Sequence, residues 1–393
     1  MYNRSVFLDI EKHLDTKQVT VITGMRRVGK TTTLKFLLQK TAHQNKIYLD
    51  LERIEDRAIF AQNNFSEIQK DLEIKGIDFS KPAVIALDEV QLIPDVASFI
   101  KYYHDHFEVK FIVSGSSSYY LRNRFTESLA GRKQIFELYP LDFYEFLEFK
   151  GIDPTPLQGF RFQPYRRTLY AQFKPLYEEF IQYGGFPEVV LADTVEKKVQ
   201  FLKDVLNSYI ELDVKLLSDY SVIDDLFRLV SLLAARIGSK LDYSKLGTLL
   251  GINRHKIRDY IQLLEKTYFL HLVDPYSKNL DRVIAQQQKV YFADTGLANQ
   301  LAQLNSGAIF ENAIATQLLK IGTLNYFQKK SGLEIDFIFN EQIAIEVKET
   351  PILRDLKVLE ERASSIGFNE TILIGRYPPG SNFTSFVWGG TIY

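Results

Sequence analysis

The chain reads as an α/β multidomain protein whose first domain is a P-loop NTPase fold, a mostly parallel sheet with helices on both faces. Three observations predict this. Strands and helices alternate from the amino terminus to about residue 145, the pattern that yields a parallel sheet. The stretch Gly24-Met25-Arg26-Arg27-Val28-Gly29-Lys30-Thr31 fits G-x-x-x-x-G-K-[ST] and lies between a predicted strand and a predicted helix, where a phosphate-cradling loop must lie. A second apolar run, Ala83-Val84-Ile85-Ala86-Leu87, ends in Asp88-Glu89, as a buried strand does when its tip faces a bound nucleotide.

Residues 18–23 are rich in β-branched side chains and read as a buried strand, and residues 32–40 have helical spacing with Leu34, Leu37 and Leu38 on one face. Between them, Gly24 and Gly29 let the backbone curl so that successive N–H groups point at a β-phosphate, and the helix start adds its positive end. Lys30 is expected to bridge the β- and γ-phosphates, Thr31 to offer its hydroxyl to Mg²⁺, and Thr32 to lie near the α-phosphate; with Arg27 these are the loop's ATP contacts. Further strands are predicted at 46–50, 83–87, 111–114 and 133–138, with a helix near 66–72. Asp88 is placed in the metal shell and Glu89 as general base for an attacking water, which favours ATP hydrolysis over transfer to a small acceptor. An acidic pair closing a strand at a turn is the plainer reading of the same dipeptide. The strand through Phe111 runs into Ser114-Gly115-Ser116-Ser117-Ser118, where Ser116 is the chosen γ-phosphate sensor and ordinary turn chemistry the competing account.

At 393 residues the chain exceeds the size of one hydrophobic core, so two or three domains are expected. A formal net charge of -1 excludes a whole-chain pull toward nucleic acid or acidic membranes, so any basic face is local. The absence of cysteine excludes disulfides, thiolate metal sites and a cysteine nucleophile, and fits a reducing cytoplasm. No apolar run approaches membrane length, and residues 1–15 alternate charge with apolar residues as an amphipathic helix does; a soluble cytoplasmic protein without a membrane partner is expected.

A proline-bearing linker, Gly151-Ile152-Asp153-Pro154-Thr155-Pro156, follows the first domain, and residues 170–217 are helical apart from Tyr183-Gly184-Gly185-Phe186-Pro187. This is a helical lid or connector. From 223 to 276 a short helix ends at Gly251, and a second runs over 254–266 with Ile257, Ile261 and Leu264 inward. Tyr268 to Val273 then reads as a strand or wing, giving helix-turn-helix spacing with a winged extension. Arg254, His255, Lys256 and Arg258 lie on the outer face, and residues 236–289 hold ten Lys/Arg against five Asp/Glu. That suits a DNA-reading helix; a packing module with a solvated basic face is the alternative. In the last third, Glu311 sits in a helix start, while Asp336 and the pair Glu346 and Lys348 sit on two strands joined near Asn340-Glu341-Gln342. Residues two apart on a strand share a face, so Glu346 and Lys348 point together and Asp336 can meet them. Carboxylates Glu311, Asp336 and Glu346 around Mg²⁺, with Lys348 placing the nucleophile or steadying the transition state, suit a nuclease; an exposed strand face of alternating charge is the other account.

Taken with Leu129-Ala130-Gly131-Arg132, Leu138-Tyr139-Pro140-Leu141 and the Tyr183 to Pro187 segment, these motifs resemble the bacterial and archaeal AAA-type P-loop ATPases that carry a C-terminal domain of unknown function with a restriction-endonuclease-like fold. The resemblance implies an ATPase core over 1–148, a lid over 149–220, a winged helix over 221–280 and a nuclease-like domain over 281–393. It also implies a role in DNA handling, defence or signalling. Arg132 resembles an arginine finger or nucleotide sensor, in cis or across a homo-oligomer interface, or else a structural arginine capping a strand. The Pro-Asp dipeptide of the wider nuclease group is missing, which leaves Asp336 or Glu334 as first acidic ligand, with Asp336 closer in register to Glu346.

Overall fold

The computed structural model describes residues 4–62, 64–115, 129–210, 223–277, 286–329, 332–380 and 382–393. An amphipathic helix, α1 (Phe7–Leu14), leads into β1 (Val19–Thr23), whose five residues are all buried. Full burial explains why β1 has no polar alternation. Helix α2 (Lys30–Lys40) starts directly from the loop and buries Leu34, Leu37 and Leu38, as its spacing predicts. Strand β2 (Lys46–Asp50) precedes helices α3 (Ile54–Ile59) and α4 (Phe65–Ile74), then come β3 (Ala83–Asp88), α5 (Val96–His106), β4 (Val109–Gly115) and β5 (Lys133–Glu137). The five strands pair in parallel in the order β2-β3-β4-β1-β5. Because β1 and β3 are separated only by β4, the tip of each can serve the same ligand at the C-terminal edge. Val21, Ile85, Phe111 and Phe99 share one core cluster on the face that α5 covers. At about 1.5–3 kcal/mol for each fully buried large apolar side chain, that cluster fixes the sheet independently of any ligand.

The chain divides into two compact units, Asn3–Tyr139 with Lys266–Tyr268, and Pro140–Glu265 with Phe269–Tyr393. The second opens with α6 (Phe143–Phe149), started by a reciprocal capping box between Asp142 and Glu145. The connector is helical as expected: α7 (Arg167–Tyr183), α8 (Pro187–Leu191) and α9 (Val195–Ser208), with α10 (Ile223–Ala234) after it. The Gly184-Gly185 break has a physical cause. A Cβ on Gly184, at φ +78, would stand 2.1 Å from an Asp294 oxygen, and one on Gly185 would stand 2.2 Å from the Leu141 carbonyl. The Asp294 carboxylate fills the gap, accepting from Gly185 N at 2.7 Å and from Leu297 N at 3.0 Å.

Burial drives the Asp294 pKa from 3.8 up to about 6 although these amides pull it down. The native state therefore holds a proton between about pH 4 and pH 6 that the unfolded chain has lost. By linkage its stabilisation is complete at the acid end and disappears as pH climbs through 6, a difference of roughly 2–3 kcal/mol. Thermal melts of the whole chain at pH 4.5, 5.5, 6.5 and 7.5 should show this fall, and Asp294→Asn should flatten it while lowering stability throughout, because its amide group faces amide donors. An unchanged pH slope in the variant would contradict the assignment.

Helices α11 (Tyr243–Leu250) and α12 (Arg254–Lys266) form the expected helix–turn–helix, with Asp242 capping the first and Gly251 ending it in the left-handed conformation. Ile257, Ile261 and Leu264 face inward as the spacing predicts. The segment read as a strand or wing is a strand, β6 (Leu270–Pro275), paired antiparallel with β7 (Lys289–Phe292) and, at its end, parallel with β8 (Leu324–Gln328) in a seven-stranded mixed sheet. The boundary expected at 280 therefore runs through one sheet. Apolar Leu270 and Val273 require this cover. Helices α13 (Thr295–Leu301) and α14 (Ser306–Ile321) precede β8, and the sheet is completed by β9 (Glu334–Phe339), β10 (Ile343–Lys348), β11 (Glu370–Gly375) and β12 (Val387–Trp388), with α15 (Leu353–Ser364) between β10 and β11. β9 and β10 form the expected antiparallel hairpin, turning through Asn340 and Glu341 at φ +50 and +55.

Candidate functional site

The loop between β1 and α2 has the conformation its glycines predict. Gly24 sits at φ +152, and a Cβ there would be 2.1 Å from the Leu138 carbonyl, so only glycine passes beneath the strand β5 exit. Arg27 at φ +62 and Gly29 at φ +99 complete the curl. Lys30 is buried, and its Nζ donates to the Met25 carbonyl at 3.0 Å, folded back over the loop. Thr31 and Thr32 are exposed at the first turn of α2, while Thr33 turns inward and donates its hydroxyl to the Gly29 carbonyl at 2.9 Å. Arg27 is exposed on the loop.

Opposite, Asp88 ends β3 with both oxygens engaged. Tyr48 donates its phenol to Oδ2 at 2.9 Å, and Ser114 donates its hydroxyl to Oδ1. Burial and then the Asp88 charge raise the Tyr48 pKa far above that of a free phenol, so it stays a donor. Glu89 takes a left-handed conformation at φ +56, its N–H directed at the Ser114 hydroxyl at 3.4 Å, and Gln91 donates its side-chain amide to Glu89 Oε2. Sequence reasoning missed Tyr48, Ser114 and Gln91 as the groups that orient the acidic pair. Ser114 was in view as part of the serine run, and its place at the end of the strand beside β3 was the usable signal; Tyr48 had none, since an aromatic in a strand is ordinary packing. Ser116, the expected sensor, lies outside the described residues. Arg4 was also missed: buried, it donates to the Val28 carbonyl at 3.1 Å and to the Tyr139 carbonyl at 2.7 Å, tying the loop to the end of β5.

Arg132 as a sensor in its own subunit is corrected. Its carbonyl accepts from Val19 N at the start of β1, so it lies at the strand-start edge, the full length of β1 away from the loop. There it makes two hydrogen bonds to Asp105, at 2.9 and 3.2 Å. The structural reading of this arginine is the one its geometry matches.

In the second unit, β9 and β10 bring Asp336, Glu346 and Lys348 together. The ladder pairs Phe337 with Ile345, and one step on the Asp336 carboxylate accepts from Val347 N at 2.9 Å. Lys348 donates to Glu346 Oε1 at 2.8 Å and Arg362 lies 3.7 Å from the same atom. Glu346 Oε2 is buried with no hydrogen-bond partner among the described residues. Burial, then the Asp336 charge, raises Glu346, and burial raises Asp336. Glu311 is in the same electrostatic neighbourhood, pushed up to about 7 by burial and by Asp336, but its Oε1 accepts from Tyr291 at 2.7 Å. Among the described residues no three carboxylate or imidazole groups stand as a metal-ready set, so the expected trio of Glu311, Asp336 and Glu346 is not assembled. Each has an oxygen committed to a protein donor instead. Lys289, missed because it stands alone in sequence, is almost wholly buried and pairs with Glu334 at 2.9 Å; burial disfavours its charge, but Glu311, Glu334 and Asp336 together outweigh that and keep it cationic. Glu334 is thus bound to a lysine, which leaves Asp336 as the acid in register with Glu346.

On α12, Arg254, His255 and Arg258 are exposed, whereas Lys256 is half-buried and lies 3.4 Å from Asp225. No helix among the described residues is long and apolar enough to cross a membrane.

Residues 16–147 match the family model described as an AAA domain. Residues 174–308 and 306–378 match two domains of unknown function, DUF8612 and DUF4143. With the parallel sheet and loop geometry, this match gives the first unit the fold of an AAA domain with a P-loop, a nucleotide-binding fold. Across the chain, an uncharacterized protein of Methanocaldococcus jannaschii, MJ1544, is 28% identical over 371 residues, covering 90% of this chain and 80% of that protein. An uncharacterized protein of Haemophilus influenzae is 26% identical over 356 residues, covering 85% and 84%. Among solved structures, Aeropyrum pernix ORC1 in complex with DNA is similar at a TM-score of 0.33 and 12% identity, covering 77% of this chain and 92% of that one.

Proposed function

We propose that the chain hydrolyses ATP, using the first unit as its motor, and that the second unit engages DNA. The observation that carries the hydrolytic part is the convergence on one sheet edge of the Gly24 to Thr31 loop, with Lys30 buried in it, and Asp88 and Glu89 at the tip of β3. The Thr31 hydroxyl and Asp88 carboxylate are hard oxygen donors of the kind Mg²⁺ selects, so these residues would hold the ion. Bound there, Mg²⁺ would neutralise charge on the phosphates. Lys30, released from the Met25 carbonyl, places an ammonium against the β- and γ-phosphates. Tyr48 and Ser114 keep the Asp88 carboxylate in one orientation. Glu89 takes the proton of an attacking water, which a carboxylate at the strand tip is able to do once its bond from Gln91 is released.

DNA contact is assigned to the exposed Arg254 and Arg258 of α12. At the C-terminal centre, the partnerless Glu346 Oε2 beside Asp336 supports a cation-assisted nuclease, with Lys348 steadying charge. The second reading is a nucleotide-driven switch with an idle C-terminal centre, and the lysine pairing of Glu346 favours it. One experiment tests both: phosphate release from MgATP by the pure chain, run beside plasmid, linear and branched DNA with Mg²⁺ or Mn²⁺. ATP turnover is expected. Cleavage that vanishes in Asp336→Ala and Lys348→Ala would establish the nuclease, and intact DNA with continued turnover would establish the switch. No phosphate release above a buffer blank would overturn the ATPase assignment itself.

A further inference from the structure

Between Pro154 and Tyr177 the chain carries four cations, Arg161, Arg166, Arg167 and Lys174, interleaved with six aromatic residues and without a single Asp or Glu. The acids that bound this stretch are both engaged: Asp153 accepts from Thr155 N at 3.0 Å and from its hydroxyl at 2.8 Å, and Glu178 pairs with Arg376 through two hydrogen bonds of 3.1 and 2.6 Å. Arg161, Arg166 and Arg167 are exposed and make no ion pair among the described residues. What they do touch is rings. The Arg161 guanidinium lies 4.9 Å from the Tyr393 ring centre, and Arg166 lies 4.9 Å from that of Phe160. Tyr165 stacks on Phe386 at 4.8 Å, and Lys174 sits over Tyr170 at 5.7 Å. The rings of Phe160, Phe162 and Tyr165 are only half-buried.

Exposed cations with no acidic partner among the described residues leave this strip open to an anion. The rings narrow the choice of anion. An acidic peptide would satisfy the guanidinium edges but has no use for ring faces, whereas a single nucleic-acid strand offers phosphates to the N–H edges and planar bases to the rings and guanidinium planes. A duplex keeps its bases stacked inside and presents only phosphate. We infer that the surface formed by Arg161, Phe162, Arg166 and Arg167 binds single-stranded nucleic acid through phosphate contacts and base stacking. The strip also lies where such a strand would be of use: Phe162 packs on Phe339 at 5.7 Å, and Phe339 is three residues, about 10 Å of strand, from Asp336. The inference is independent of ATP hydrolysis and names a surface other than α12.

Fluorescence anisotropy of the full chain with labelled dT20 and rU20, without nucleotide, tests it across 50 to 300 mM salt. Arg161→Ala/Arg166→Ala/Arg167→Ala should lower affinity at least tenfold and reduce the slope of log affinity against log salt by about 2, since each strand phosphate contact contributes about 0.7. Phe162→Ala should weaken binding severalfold with the slope unchanged, the mark of lost stacking. Far-ultraviolet circular dichroism confirms that each variant is folded, and the triple Lys variant, which keeps charge but not planarity, should retain the slope. Absence of binding at 50 mM salt, an unchanged slope in the triple Ala variant, or displacement of the oligonucleotide by polyglutamate at equal charge would overturn the proposal, the last in favour of an acidic protein partner. Preference for rU20 over dT20 or the reverse identifies which strand the surface takes.

Discussion

Lys30→Met should bring phosphate release from MgATP to the background rate while the fold stays intact. Lys30 is buried at the start of α2, and its ammonium donates to the Met25 carbonyl of its own loop. A neutral carbonyl is a weaker partner for a buried cation than an anion is, since it offsets less of the lost hydration. A triphosphate tail is a far better one. In an enclosed site, removing one positioned donor to developing negative charge typically costs about 10²–10³ in turnover. The thioether of Met preserves an unbranched stem of similar length, so the substitution removes the charge and little else. Thermal stability should shift by only a few degrees without nucleotide, and the stabilisation that MgATP gives the parent chain should shrink or vanish, since that stabilisation measures binding directly. Turnover within twofold of the parent would sink the reading of this loop as the nucleotide cradle.

The first unit was legible in sequence because each of its signals is local. A strand buried on both faces must be apolar throughout, and a loop that wraps phosphate must carry glycine where φ turns positive; Val19 to Thr23 and Gly24 to Gly29 satisfy both conditions. The hairpin of β9 and β10 was legible for a similar reason, as two alternating runs joined by a short polar turn. What escaped were partnerships across distance. Tyr48 reaches Asp88 from forty residues away, Arg4 reaches Tyr139 from 135, and Lys289 reaches Glu334 from the far side of the sheet order. None of these leaves a periodic trace. Arg132 misled because a motif gives neighbours in sequence but not which end of a strand it occupies; the parallel pairing of β5 with β1 fixes that end away from the loop. The pairing of the strand after the two helices was hidden, because its partners β7 and β8 lie downstream of it.

Glu89→Gln should separate binding from hydrolysis. Asp88 and Glu89 are adjacent, yet the structure gives them different partners: the first has both oxygens fixed by hydroxyl donors from β2 and β4, and the second is turned into a left-handed backbone and touched by a side chain two residues on. A residue held in that conformation bears strain of about 1–3 kcal/mol, which persists only where surrounding contacts impose it. Here the contact from Ser114 to the Glu89 N–H joins the two acids through one hydroxyl. Glutamine has nearly the same shape and can keep the Gln91 contact, but it cannot accept a proton from water. Turnover should therefore fall by about 10²–10⁴, with ATP affinity within about threefold of the parent in calorimetric titration. Gln91→Ala is the complementary test, because freeing the carboxylate removes a competitor for its proton-accepting oxygen. Basal turnover should then hold or rise. A loss in Gln91→Ala as deep as that in Glu89→Gln would mean that the amide helps place the base for reaction, and a Glu89→Gln chain that still hydrolyses at the parent rate would move the general base to another residue at the edge of this sheet.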